Sequence, residues 1–285
     1  MRKITNIAEL RAALDSYRAA GKTLGLVPTM GYLHEGHISL VRRSVSENDA
    51  TVVSIFVNPT QFRPEEDLDS YPRDLDRDLG LLSEVGADVV FCPCPDSMYA
   101  TDYSTYVDEY KLAAGLCGAS RPGHFRGVCT VVLKLFNLTG PQRAYFGEKD
   151  YQQLQVIRRM VRDLDVPVDI VSCPIVREAD GVAMSSRNVY LSPGERVSAQ
   201  RLSQGLRMAQ EAVAQGERSC SALTGMVRHY LEADPGVVID YVEIKDPNTL
   251  DDVVSLDGEV RMLLAARVGK TRLIDNALLI PKEVL

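Results

Sequence analysis

Apolar positions recur at helical spacing from Ile7 through Leu10 and Leu14 to Tyr17, which predicts a helix over 7–20 closed by Gly21. The pattern then switches. Thr23-Leu24-Gly25-Leu26-Val27 is a short continuous apolar run that stops at Pro28, as a buried strand does. A turn-rich stretch with Gly31 and Gly36 follows, and helical periodicity resumes from Ile38 to Val45. A second strand, Ala50–Val57, ends at Asn58-Pro59. Residues 72–85 read as a helix, and Ala87–Cys92 as a third strand ended by Pro93 and Pro95. A helix over 126–138, a strand over Arg143–Phe146, a helix over 151–163 and a fifth strand over Val168–Cys173 complete the series.

Strands that are near-continuous apolar runs, alternating with helices, predict an α/β fold with a parallel sheet covered on both faces. Such sheets take ligands beyond the carboxyl ends of their strands, so the segments just after strands are the first candidates for function. Near residue 176 the pattern changes. Residues 194–231 are mainly helical, with Leu202, Leu206, Ala209 and Val213 on one stripe. Strand-like runs follow over Val237–Ile244, Val260–Ala266 and Thr271–Ile274. We therefore divide the chain into an α/β domain over 1–176 and a smaller C-terminal α+β domain with an antiparallel sheet over 177–285.

Composition narrows the function classes. The 285 residues are 45% hydrophobic and 25% charged, with a formal net charge of −7. A protein that grips a nucleic-acid backbone carries a basic face, and none is visible, so no nucleic-acid partner is expected. No apolar run of membrane-spanning length and no signal-peptide core occurs, which makes the cytoplasm the expected location. Six scattered cysteines without a C-x-x-C pair read as reduced thiols.

Two segments carry candidate chemistry. The first is Pro28-Thr29-Met30-Gly31-Tyr32-Leu33-His34-Glu35-Gly36-His37, directly after the first strand of the alternating series. Two glycines allow close approach of backbone to a ligand. A helix starting near Gly36 or His37 aims N–H groups and its positive dipole end at that space. Three readings compete: satisfied structural histidines, a metal site completed by Glu35 or His124, and contact with phosphate. Phosphate is favoured, because two of only four histidines share one glycine-bearing turn. The second segment is Ala183-Met184-Ser185-Ser186-Arg187-Asn188, whose hydroxyls and guanidinium suit phosphate oxygens. Gly269-Lys270-Thr271 imitates the end of a P-loop, but the required glycine five residues earlier is Leu264, so a hairpin turn is expected there.

Taken together, the His-x-Gly-His turn and the Met-Ser loop resemble the paired signatures of the adenylyl-transferring superfamily that includes class I aminoacyl-tRNA synthetases. Phe56-Val57-Asn58-Pro59-Thr60-Gln61-Phe62, Tyr71-Pro72-Arg73-Asp74, Arg121–Val132 and Phe146–Leu154 narrow the match. With them, nearly the whole chain resembles the pantoate–β-alanine ligases. That resemblance implies a Rossmann-like doubly wound sheet and a ligase that condenses (R)-pantoate with β-alanine, cleaving ATP to AMP and diphosphate through a pantoyl adenylate. It implies ATP contacts at Met30, Gly31, Tyr32, Leu33, His34, Glu35, Gly36 and His37. Further ATP contacts are implied at Gly147, Glu148, Lys149, Asp150, Val176, Met184, Ser185, Ser186 and Arg187. The resemblance also implies catalytic roles for His37, His34, Lys149 and Arg187, and contacts to the organic substrates at Gln61 and Gln153. Mg2+ is implied with ATP, with Asp76 and Asp78 as candidate ligands; some family members carry adjacent aspartates there, where this chain has Arg77 between. Ala183 and Ser186 stand where the synthetase version of the Met-Ser signature has lysines. A homodimer, and a C-terminal domain acting as a lid, are also implied.

Overall fold

The computed structural model describes residues 1–281, so residues 282–285 of the C-terminal domain expected from the sequence lie outside the described residues. The chain begins with β1 (Arg2–Ile4), α1 (Ile7–Ala19), β2 (Leu24–Thr29), α2 (Glu35–Glu47) and β3 (Ala50–Ile55). It continues through α3 (Leu75–Val85), β4 (Val89–Phe91), the short helices α4 (Pro95–Met98) and α5 (Leu116–Ser120), and α6 (His124–Thr139). Then come β5 (Arg143–Gly147), α7 (Tyr151–Asp163) and β6 (Asp169–Cys173). The last part holds α8 (Pro193–Ala214), α9 (Cys220–Glu232), β7 (Val237–Lys245), β8 (Val260–Val268) and β9 (Thr271–Leu279).

Two compact units result. One comprises Met1–Glu148 with Gln153–Pro174; the other takes Lys149–Gln152 together with the chain from Ile175 onward. The first unit is built on a six-stranded, wholly parallel sheet in the order β1-β4-β3-β2-β5-β6. The series winds outward from β2 in one direction and from β5 in the other, so the β2/β5 boundary is the topological switch point. The sequence pattern anticipated five of these strands. The sixth, β1, is a three-residue edge strand paired with β4, too short to carry a periodicity of its own.

The central strands are buried from both sides: Leu24, Leu26, Val27, Val53, Val89, Val90 and Phe91 are essentially inaccessible. At roughly 1.5–3 kcal/mol for each large apolar side chain, such burial is what overrides local propensity here. Helix ends are set by side chains. Asn6 Oδ1 accepts from the N–H groups of Ala8 and Glu9 at 2.7 and 3.2 Å, and Asp74 caps α3 through the N–H of Arg77.

The second unit holds a three-stranded antiparallel sheet in the order β7-β8-β9, packed through Val260, Met262, Leu264 and Ala266 against Leu202, Leu206, Leu223 and Val227 of α8 and α9. The helical stretch expected over 194–231 is two helices. Ser192, Pro193 and Glu195 start α8 as a capping box, and Ser219 caps α9 after a break at 215–219. The segment around Gly269 is the β8–β9 turn, as expected. Among the described residues, no helix is long and apolar enough to cross a membrane.

The cysteines are free thiols. Cys117, Cys129, Cys173 and Cys220 are buried and Cys94 is exposed. Burial pushes the Cys129 thiol up to about 12, whereas hydrogen bonding with Ser97 holds Cys94 below its ordinary value. Since the thiolate is the reactive species, iodoacetamide at neutral pH is expected to label Cys94 first and to spare Cys129 until denaturant is added, as read by peptide mass spectrometry.

Candidate active site

The site begins where β2 leaves the sheet. Thr29 Oγ1 donates to the carbonyl of Ser54 at 2.8 Å and accepts from the N–H of Gly31 at 3.2 Å, which bends the chain out of the strand. Gly31 has φ +83, and a Cβ there would stand 2.9 Å from Ile55 Cγ2 and 3.2 Å from Asp78 Oδ2, so only glycine fits. Tyr32 follows at φ +48, a left-handed conformation that costs a non-glycine residue about 1–2 kcal/mol. Asp78, on α3 and only 1% exposed, holds it there. Its two carboxylate oxygens accept from the N–H groups of Tyr32 and Leu33, both at 2.7 Å. Hydrogen bonds to a charged acceptor contribute roughly 1.5–3 kcal/mol each, enough to offset the backbone strain. Burial pushes the Asp78 carboxyl above its ordinary value, and the two N–H groups act in the opposite sense.

Helix α2 then starts one turn earlier than the periodicity suggested. His34 is its N-cap and His37 its third residue. The N–H of His34 donates to His37 Nδ1 at 3.3 Å, the role a glutamate or glutamine plays in the usual capping box. A backbone N–H can only donate, so Nδ1 is the acceptor and, in the neutral ring, Nε2 carries the proton. His37 therefore presents an N–H donor at a helix start, beside the backbone donors of the first turn. The two imidazole centroids are 4.0 Å apart. Glu35 turns away and pairs with Arg42, whose guanidinium holds its carboxyl below the usual range.

Beyond β3, Gln61 ends a 3-10 turn over Pro59–Gln61. Its Oε1 accepts from Asn58 Nδ2 at 3.0 Å, and its Nε2 lies 3.4 Å from Met30 Sδ, linking it to the turn after β2. The Gln61 carbonyl accepts from His124 Nδ1 at 2.9 Å, and His124 Nε2 accepts from Arg121 at 3.0 Å. Arg121 is itself paired with Glu66. Both nitrogens of His124 are thus engaged, Nδ1 with the Gln61 carbonyl and Nε2 with Arg121. Gly127 of α6 allows the 3-10 turn to approach, since a Cβ there would lie 2.4 Å from the Thr60 carbonyl oxygen. In the sequence Asn58 reads as a strand stop and His124 as a candidate further metal ligand; both also lie in motifs that carry the resemblance, with no role attached to either there. The hold of His124 on Gln61 joins segments 63 residues apart, which no local pattern announces.

Gly147 ends β5, the strand beside β2. Glu148 and Gln153 belong to the first unit, but Lys149, Asp150, Val176 and Met184–Arg187 belong to the second. There, residues 176–184 form a small hairpin: the N–H of Met184 donates to Val176 O at 3.0 Å and that of Glu178 to Val182 O at 2.9 Å. Arg196 ties its tip by ion pairs to Glu178 and Asp180. Ser185 caps a 3-10 turn over Ser186–Tyr190 by accepting from the N–H of Arg187. Lys149 Nζ lies 3.7 Å from Asp150 and keeps 22% of its side chain exposed.

The expected metal pair does not form a cation site. Asp76 and Asp78 are two apart on α3, which places them on different faces of the helix. Asp76 is exposed, whereas both oxygens of Asp78 accept backbone N–H groups. His34 and His37 do not gather with Glu35 or His124 as one either. Among the described residues, no group of three or more His, Cys, Asp or Glu gathers as a metal site.

A parallel sheet wound from a switch point, with a donor-lined helix start at the end of its central strand, defines an α/β enzyme of the nucleotide-binding class. The family model for pantoate-beta-alanine ligase matches residues 2–278. The chain is 56% identical over 276 residues to the pantothenate synthetase of Pseudothermotoga lettingae, covering 97% of this chain and 98% of that protein. It superposes on the crystal structure of pantothenate synthetase from Thermus thermophilus with a TM-score of 0.93 at 49% identity, over 97% of this chain and 99% of that one. The pantoate-beta-alanine ligase of Francisella tularensis, solved with beta-gamma ATP and beta-alanine, matches with a TM-score of 0.82 at 36% identity, over 98% of this chain and 97% of that one. The chain belongs to the pantoate–β-alanine ligase family.

Asp78→Asn keeps one acceptor but turns the other towards a backbone N–H as a donor. It is expected to lower the stability measured by urea denaturation by about 2 kcal/mol. An unchanged midpoint and slope would mean that the turn is held by other contacts.

Proposed function

We propose that this enzyme condenses (R)-pantoate with β-alanine, using ATP in two steps at one site. In the first, a pantoate carboxylate oxygen attacks the α-phosphorus, the bond from phosphorus to the α,β-bridging oxygen breaks, and diphosphate leaves. In the second, the β-alanine amine attacks the acyl carbon of pantoyl adenylate, AMP leaves with the bonding electron pair, and the amine nitrogen loses a proton. Adenylation is needed because oxide is a poor leaving group and AMP is a good one.

The observation that carries this reading is the tautomer set at α2. Attack of one anion on another needs donors aimed at developing phosphate charge, fixed before the reaction begins. His37 Nε2–H, oriented through its Nδ1 by the N–H of His34, is such a donor, and the backbone N–H groups of Glu35 and Gly36 at the start of α2 lie beside it. In this reading His37 donates a hydrogen bond without transferring its proton. Lys149 and Arg187 supply cationic charge, and Gly147–Asp150, Val176 and Met184–Arg187 line the nucleotide. Gln61 and Gln153 hold pantoate, their amides able to donate to the carboxylate and accept from the hydroxyls. The amine of β-alanine approaches beside Gln61.

Mg2+ accompanies ATP in this reading and supplies charge neutralisation on phosphate oxygens. Asp78 is assigned to the turn instead of to the ion. The domains of the first 176 residues and of the remainder act as nucleotide- and pantoate-binding body and lid. The family resemblance also supports a cytoplasmic homodimer, which analytical ultracentrifugation would check.

The test is isotope exchange. Diphosphate–ATP exchange is expected to require pantoate and to proceed without β-alanine; exchange that needs the amine would overturn the adenylate route. His37→Gln, which keeps a donor but alters its position, is expected to lower the exchange kcat by roughly 10²–10³ with a smaller change in the KM for ATP.

A further inference from the structure

Consecutive residues of β9, Asp275 and Asn276, are 3% and 2% exposed in a sheet that is otherwise largely apolar. Alternation along a strand sends their side chains to opposite faces. On the helix-packed face, Asp275 receives Arg177 in a two-point pair, at 2.6 and 2.9 Å. Arg177 also donates to the Gly181 carbonyl at 3.1 Å, inside the 176–184 hairpin. On the other face, Asn276 Nδ2 donates to the Lys149 carbonyl at 3.0 Å, and Asn276 Oδ1 accepts from Arg261 at 2.8 Å. The Arg261 guanidinium lies 3.9 Å over the ring of Tyr151, whose hydroxyl donates to the Pro247 carbonyl at 2.9 Å. All of these groups belong to the second unit. The N–H of Asn276 donates to Asp275 Oδ1 at 2.8 Å and joins the two halves.

Burying an arginine, an aspartate and an asparagine in a sheet is costly unless every member is satisfied, and apolar residues would fill the same space without that cost. The network must therefore do something packing alone does not. What it touches is specific: one half grips the Lys149 carbonyl and the ring of Tyr151, the other grips the hairpin that leads into Met184–Arg187. We infer that Asp275 and Asn276 are positioning residues of the ligase reaction, which set Lys149 and Met184–Arg187 in one frame for the nucleotide. This rests on the proposed nucleotide contacts of those two segments. Neither Asp275 nor Asn276 touches substrate in this account; they act through Lys149 and through the hairpin.

Asn276→Asp separates the role from simple packing. It is nearly isosteric and keeps the acceptor for Arg261, but it loses the donor to the Lys149 carbonyl. In diphosphate–ATP exchange it is expected to raise the KM for ATP by roughly tenfold, leaving the KM for pantoate within about twofold. Its melting temperature is expected to fall moderately, because the Lys149 carbonyl loses its buried donor, so the kinetics are read well below the melting transition. In a Lys149→Gln background the same substitution should cost less than about twofold, because residues acting as one unit are not additive. Unchanged ATP kinetics in Asn276→Asp, or a full additive effect on top of Lys149→Gln, would overturn the inference while leaving the ligase reading intact. Equal losses for both substrates with a large fall in melting temperature would also overturn it, in favour of a purely structural network. If Lys149→Gln alone had normal ATP kinetics, the nucleotide role of Lys149 would fail and this inference with it.

Discussion

A single buried carboxylate holds the turn on which the site depends. Gly31 and Tyr32 both have positive φ, and a chain in that conformation would relax if nothing opposed it. Asp78 opposes it by accepting the N–H groups of Tyr32 and Leu33 from a position in α3. Only with the turn held does α2 begin at Glu35, and only then can the N–H of His34 reach His37 Nδ1. The protonated side of His37 is thus decided by a chain of contacts that begins on another helix. A residue that resembled a metal ligand is a structural anchor for the donors instead.

The two units differ in the chemistry they offer. The first contributes mostly neutral groups held by neutral groups: His37 by a backbone N–H, and Gln61 by Asn58 and His124. Such donors and acceptors can read a hydroxy acid and follow developing charge without a large desolvation cost. In the proposed reading the second contributes Lys149 and Arg187; it anchors the segments carrying them through ion pairs and a buried amide. Charged side chains are long and adaptable, so their usefulness in a reaction depends on the rigidity of the backbone that carries them. The Arg196 clamp on Glu178 and Asp180 and the Arg177–Asp275 pair supply that rigidity to the hairpin.

The assignment of Lys149–Gln152 to the second unit has a physical basis in the same network. The preceding strand, β5, is paired in the parallel sheet, and the chain re-enters the first unit at Gln153. Between them, Asn276, Arg261 and Pro247 take up the carbonyl of Lys149, the ring of Tyr151 and its hydroxyl. This short segment is thereby held by groups that come from far later in the chain. Local sequence around Gly147-Glu148-Lys149-Asp150 contains nothing that announces this.

The sequence by itself determined the alternating α/β pattern, the antiparallel C-terminal sheet, the hairpin at Gly269 and the family. Each of these is written in short-range periodicity, in turn residues, or in motifs whose members are adjacent in the chain. It did not determine the edge strand β1, which borrows its hydrogen bonds from β4 and has no pattern of its own. Nor did it determine that α2 starts at Glu35, that His124 serves Gln61, or that Asp78 serves the turn. Those outcomes were decided by tertiary structure, because a polar side chain shows in sequence only what it can donate or accept. Which partner it finds depends on what the fold brings within about 3 Å. The histidine pair and its spacing were legible in the sequence; that the N–H of His34 meets His37 Nδ1 required the turn to be built.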